Sequence, residues 1–160
     1  MNELIKVGIS DYAKSHSPSV IVTFALGSCV GICLYDNVKK LGGLSHIMLP
    51  DSTVATKNEK NRMKFADTAL VDLARELKAM GAKRLTAKIA GGAQMFATPA
   101  VGFMGNIGDR NVKAVKAALA LLNIPVTAED TGKDYGRTVY FDLKTGVMRV
   151  QSIGRSTQEY

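Results

Sequence analysis

The sequence predicts an α+β fold, with two main helices packed on one face of largely antiparallel β-sheet. Three observations lead there. Short β-branched runs fill the first fifty residues and return at the end of the chain. Only two stretches carry apolar residues at helical spacing. The order is strands, then helix, strand, helix, and strands again. With 160 residues and 46% hydrophobic content, a single domain over 1–160 with a proper core is expected.

Taken in order, residues 4–9 alternate loosely and read as a first strand, and polar residues 10–18 read as a loop that holds His16. Residues 20–25 form an apolar β-branched run ended by Gly27, 29–35 a second apolar run, and 44–49 a short strand stopped by Pro50. Residues 51–62 are polar and read as a mobile surface loop. The first helix spans 63–80: Ala66, Ala69, Leu70, Leu73, Leu77 and Met80 share one face, Asp67, Asp72, Arg75, Glu76 and Lys78 the other, and Gly81 is the stop. A strand over 84–90 runs into Gly91-Gly92-Ala93 and a glycine-rich loop. Asp109 or Asn111 can cap the second helix, 110–122, whose apolar face includes Val112, Val115, Ala118, Leu119 and Leu122. A strand over 124–129, a turn over 130–134 and a hairpin of 138–143 with 147–153 follow, and the polar tail 154–160 is expected to fray.

The net charge of +7 and a pI near 9.5 suit an acidic partner. The basic residues are scattered, with no run longer than Lys39-Lys40 or Lys83-Arg84, and Trp is absent. An acidic protein therefore fits better than nucleic acid, which needs a basic stripe and stacking platforms. Two cysteines make no disulfide framework. The start, Met1-Asn2-Glu3-Leu4, lacks a basic leader segment, and no apolar run approaches the roughly 20 residues of a membrane span. A reduced, cytoplasmic protein without membrane insertion is expected.

The chemistry concentrates in residues 23–51, where Cys29 follows Gly27-Ser28 and His46 precedes Leu49-Pro50. A thiol after a tight bend and an imidazole on a short strand are the parts of a cysteine nucleophile pair. The bend at Gly27 and Ser28 can aim backbone N–H groups at an oxyanion, and a helical turn opening at Cys29 would favour the thiolate. Cys33, inside Ile32-Cys33-Leu34, reads as a core residue. A Cys29–Cys33 disulfide would need to span about 13 Å of extended strand. A zinc site of Cys29, Cys33, His16 and His46 is possible by count but lacks the usual ligand spacings. Thr23, Ser45, Asp36 and Asp51 are all candidates to orient His46. The run Gly102 to Gly108, with its GxxGxxG spacing, reads as a structural loop or cleft wall rather than a phosphate loop, and Gln94-Met95-Phe96 as packing or pocket lining.

Several segments together carry a resemblance. They are Leu26-Gly27-Ser28-Cys29-Val30, Cys33-Leu34-Tyr35-Asp36, Gly42-Gly43-Leu44-Ser45-His46-Ile47-Met48-Leu49-Pro50 and Lys64-Phe65-Ala66-Asp67. Ala87-Lys88-Ile89-Ala90-Gly91-Gly92-Ala93, Met95-Phe96, Ile107-Gly108-Asp109-Arg110-Asn111, Ala128-Glu129-Asp130-Thr131-Gly132 and Gly136-Arg137 continue it. The chain resembles the CheD family, the chemoreceptor glutamine deamidases of chemotaxis, over nearly its whole length. The resemblance implies a three-layer α/β/β sandwich, Cys29 as nucleophile, His46 as base and Thr23 as the third member, with no cofactor. It also implies a chemoreceptor cytoplasmic domain as substrate and a CheC-type phosphatase as partner. Lys133 departs from the pattern, where a second glycine is expected after Gly132.

The implied reaction is hydrolysis of a glutamine side-chain amide to glutamate through a thioester, with methyl ester hydrolysis as a secondary activity. Two rivals remain at this level. One is a cysteine amidohydrolase or protease of another substrate class. The other is a non-catalytic adaptor that binds a CheC-type phosphatase or another acidic protein.

Overall fold

A computed structural model describes residues 3–95 and 106–160. Most of the glycine-rich run, from Gly102 to Gly105, and Phe96 of the apolar cluster lie outside the described residues. The strands are β1 (Leu4–Val7), β2 (Asp11–His16), β3 (Val20–Leu26), β4 (Val30–Asp36), β5 (Leu41–Ile47), β6 (Thr86–Gly91), β7 (Val126–Thr131), β8 (Arg137–Asp142), β9 (Met148–Gln151) and β10 (Gln158–Glu159). The helices are α1 (Ala66–Ala79) and α2 (Ile107–Leu121). One sheet has the order β1-β3-β8-β9-β10 and the other β2-β5-β4-β6-β7. β1–β3 and β6–β7 run parallel, and the other adjacent pairs are antiparallel.

Alternation along β4 explains the three layers. Successive side chains of a strand point to opposite faces. Val30, Ile32 and Leu34 join Leu70, Leu73 and Leu77 of α1 and Val115 and Leu119 of α2 in one core. Cys33 and Tyr35 join Ile21 of β3 and Val139 and Phe141 of β8 in the other. The helices thus cover one face of the β4 sheet and the second sheet covers the other, as expected for an α/β/β sandwich. Tyr35 and Phe141 meet edge to face at 5.6 Å between the sheets, and the Tyr35 hydroxyl donates to Leu143 O.

Four details differ from the sequence reading. Residues 11–16 form an edge strand on β5, although Asp11-Tyr12-Ala13-Lys14-Ser15-His16 looks like a loop. An edge strand keeps polar side chains because much of it faces water. The tail is docked: β10 pairs with β9, Tyr160 exchanges backbone hydrogen bonds with Met148, and its hydroxyl donates to Asp130. Asp72 of α1 is buried, held by Arg62 and Arg75. Residues 51–62 lie at the surface, with a 3-10 turn at Ser52–Val54 and a second at Arg62–Lys64, and Asp51 and Asn61 cap them.

Lys133 sits at φ 62, after Gly132 at φ 79. The expected second glycine would stand where the backbone is left-handed, and the lysine keeps that conformation at some strain. Among the described residues, no helix is long and apolar enough to cross a membrane.

Candidate active site

Thr23 and His46 come from different sheets and meet between them. His46 lies on β5 opposite Gly31 of β4, on the face turned toward the second sheet. Thr23 lies on β3, two residues after Ile21 of the inter-sheet core. Its Oγ1 is 2.7 Å from His46 Nδ1 and 2.8 Å from Val7 O on β1. A carbonyl only accepts, so the single hydroxyl proton goes to Val7 O. The hydroxyl must then accept from Nδ1–H. This fixes the tautomer: Nδ1 carries the proton and Nε2 is a bare acceptor. Nε2 is buried and has no hydrogen-bond partner among the described residues.

Cys29 immediately precedes β4. It is two positions before Gly31, so it shares the His46 face and stands diagonal to it across the ladder. Gly31 lies between them and presents no side chain. A Cβ there would come within 3.1 Å of Leu26 Cδ1 and 3.7 Å of Thr23 Cγ2.

The bend before Cys29 is built differently from the sequence expectation. The left-handed residue is Ala25, at φ 58, within a register shift between Thr23 and Leu26. A non-glycine residue held there stores strain four residues before the candidate nucleophile. Gly27 has another role: a Cβ on it would press on Met95 Cγ at 3.2 Å. Cys29 opens a strand rather than a helix, so it has no helix dipole of its own.

Burial pushes the Cys29 thiol above its usual pKa, partly offset by its own backbone N–H. Desolvation pulls His46 down to about 4. At neutral pH both groups are therefore uncharged, a protonated thiol and a neutral imidazole.

The other candidates are placed elsewhere. Ser45 points to the opposite face, paired with Ile32 of the helix-side core. The Asp36 carboxylate accepts from the N–H groups of Val38, Lys39, Lys83 and Arg84, which hold its pKa at about 2 despite the opposing cost of desolvation. Asp51 accepts from Thr53 N. His16 is exposed at the far end of the β2–β5 ladder, opposite Leu41. Cys33 is buried, and both cysteines are free.

One residue of the site was misread as a helix cap. Asn111 does not cap α2, whose first flanking residue is Asn106, at φ 52 and without a side-chain cap bond. Asn111 is fully buried instead, and its Nδ2 donates to Ser28 O at 2.9 Å and Met48 O at 3.0 Å. A polar residue on the buried side of an amphipathic helix was the available signal. Gly91 also belongs here: at φ 113, a Cβ on it would collide with Cys29 O.

The family profile described as CheD chemotactic sensory transduction matches residues 48–152. The chain is 49% identical to a protein named chemoreceptor glutamine deamidase CheD from Halalkalibacterium halodurans, across 99% of each chain. It is 50% identical to proteins named probable chemoreceptor glutamine deamidase CheD from Lachnoclostridium phytofermentans, over 97% of each chain, and Syntrophomonas wolfei, over 96% of each. The chain belongs to the CheD family. The profile match begins after His46, whereas the matches to the individual CheD proteins extend over nearly the whole chain.

Proposed function

We propose that this CheD-family protein deamidates glutamine side chains of chemoreceptors, with Cys29 as nucleophile, His46 as general base and Thr23 as the residue that holds the imidazole. The observation that carries the reading is the Val7–Thr23–His46 chain of hydrogen bonds, which leaves a bare Nε2 on the face shared with Cys29. The names of the CheD relatives supply the substrate class.

In the proposed reaction His46 Nε2 takes the Cys29 proton as sulfur attacks the amide carbon. The Ser28 and Cys29 N–H groups face the resulting oxyanion, each worth about 3 kcal/mol by analogy with other oxyanion holes. Gly27 contributes no donor, because its N–H is bonded to Ala25 O. The carbon–nitrogen bond breaks as Nε2–H passes its proton to the departing ammonia. Water then attacks the thioester, giving its proton to Nε2, and the carbon–sulfur bond breaks to release glutamate and restore the thiol. The same steps hydrolyse a methyl glutamate ester. The net charge of +7 favours an acid-rich receptor surface, and the half-exposed Phe24, Met48 and Met95 offer apolar contact around it. A CheC-type partner and a role in adaptation rest on the family resemblance.

Mass spectrometry of a receptor signalling fragment tests the reading. The expected result is a gain of about 1 Da per target glutamine, the NH₂-to-OH exchange, with the chain intact and no gain with Cys29→Ala. Cleaved chains would instead indicate a protease. An unmodified fragment that stays bound would indicate an adaptor.

A further inference from the structure

Three successive carbonyls around Cys29 are each tied to a donor. Gly27 O accepts from Ala93 N at 2.8 Å, Ser28 O from Asn111 Nδ2 at 2.9 Å, and Cys29 O from Gly92 N at 2.8 Å. Among the described residues, no backbone carbonyl accepts from the N–H of Ser28 or Cys29, and the Cys29 N–H lies against its own thiol. In a trans peptide the C=O and N–H point in opposite directions. The tie to Ser28 O therefore decides where the Cys29 N–H points, which is away from α2.

The two outer ties are made by backbone. The middle one depends on a single side chain. Asn111 sits fully buried as the fifth residue of α2, and its second amide hydrogen reaches Met48 O, two residues beyond His46. The amide orientation follows from its partners: the opposite flip would set Oδ1 against two carbonyls. One side chain thus joins the segment of the nucleophile to the segment of the base.

We propose that Asn111 is a positioning residue, which locks the Ser28–Cys29 peptide so that its N–H faces the substrate oxyanion. The proposal rests on the nucleophile reading above. Asn111→Asp tests it, because the shape is kept while a carboxylate cannot donate to either carbonyl. Deamidation should lose on the order of 10²-fold in kcat with KM within about twofold, as for loss of one oxyanion donor. Alkylation of Cys29 by iodoacetamide builds no oxyanion, so its rate should change less than about threefold. A folded variant with kcat within about threefold of wild type, or with alkylation falling in parallel, overturns the proposal.

A second measurement uses the wild-type protein alone. Butyraldehyde adds to the Cys29 thiol as a hemithioacetal, whose oxygen occupies the oxyanion position. Hydrogen exchange at the Cys29 amide should slow by about tenfold or more when it is bound. Unchanged exchange overturns the proposal even if Asn111→Asp does not fold. This arm needs no receptor, so it still decides the point if wild type deamidates no receptor glutamine, an outcome that would sink the proposed function instead.

Discussion

Cys29 and Cys33 are four residues apart, face the same side of one sheet, and have opposite prospects. Cys33 lies within β4, sealed between the sheets near Tyr35 and Phe141, and burial raises its thiol far above the usual range. Cys29 stands just before the strand, half-buried, two positions from Gly31, which pairs with His46. The residue type is the same, and the difference is distance from the end of the inter-sheet seal. A sandwich of two sheets makes both environments: a dry centre and, at its edge, a place where a polar pair is covered but still reachable.

The contrast breaks first at the cysteines themselves. Cys29→Ala should cost on the order of 10⁴-fold or more in deamidation, as for loss of a nucleophile elsewhere. Cys33→Ala should retain activity within a few-fold, at a cost in stability of about 1–2 kcal/mol for a small cavity. Steady-state rates and denaturant unfolding of the two variants decide it, and equal losses of activity would erase the distinction.

Next in size is the burial of His46. Its folded pKa of about 4 lies below the unfolded value near 6.5. Above pH 6.5 both states are neutral and nothing is lost. As pH falls from 6.5 to 4 the unfolded state binds a proton that the folded state refuses, so stability falls, by on the order of 3 kcal/mol. Unfolding titrations should show wild type losing that much relative to His46→Asn across the window. A constant difference would mean that the imidazole is not held neutral.

The smallest expected effect falls on Thr23. Thr23→Val keeps the shape but leaves Nδ1 without its acceptor, and kcat should fall roughly 10²-fold as the tautomer is freed. Thr23→Ser keeps the hydroxyl and should stay within about fivefold of wild type. If Val and Ser behave alike, the hydroxyl is not what orients the ring.

Much of this was legible along the chain because its signals are local. The helical spacing of Leu70, Leu73 and Leu77 placed α1, and the β-branched run at Val20-Ile21-Val22 placed β3. What lay hidden depends on tertiary contact. Local sequence could not choose Thr23 over Ser45, because the choice turns on which sheet face each residue occupies; only the family resemblance made it, and Thr23 is the residue within 2.7 Å of His46 Nδ1. Asn111 lies near the start that the sequence suggests for the second helix, and only the approach of Ser28 and Met48 reveals its bonds. The strand at Asp11–His16 and the docked tail were masked by polar side chains, which edge strands tolerate.

A thiol that stays protonated until a carbonyl carbon arrives is a slow partner for peroxide, because the thiolate is the form that oxidises. Cys29 is such a thiol, with its pKa raised by burial and a neutral imidazole nearby. In the proposed reaction the arrangement trades standing nucleophilicity for durability: the sulfur would become reactive only during the proton transfer to His46, and between turnovers it would resist oxidants that consume a resting thiolate.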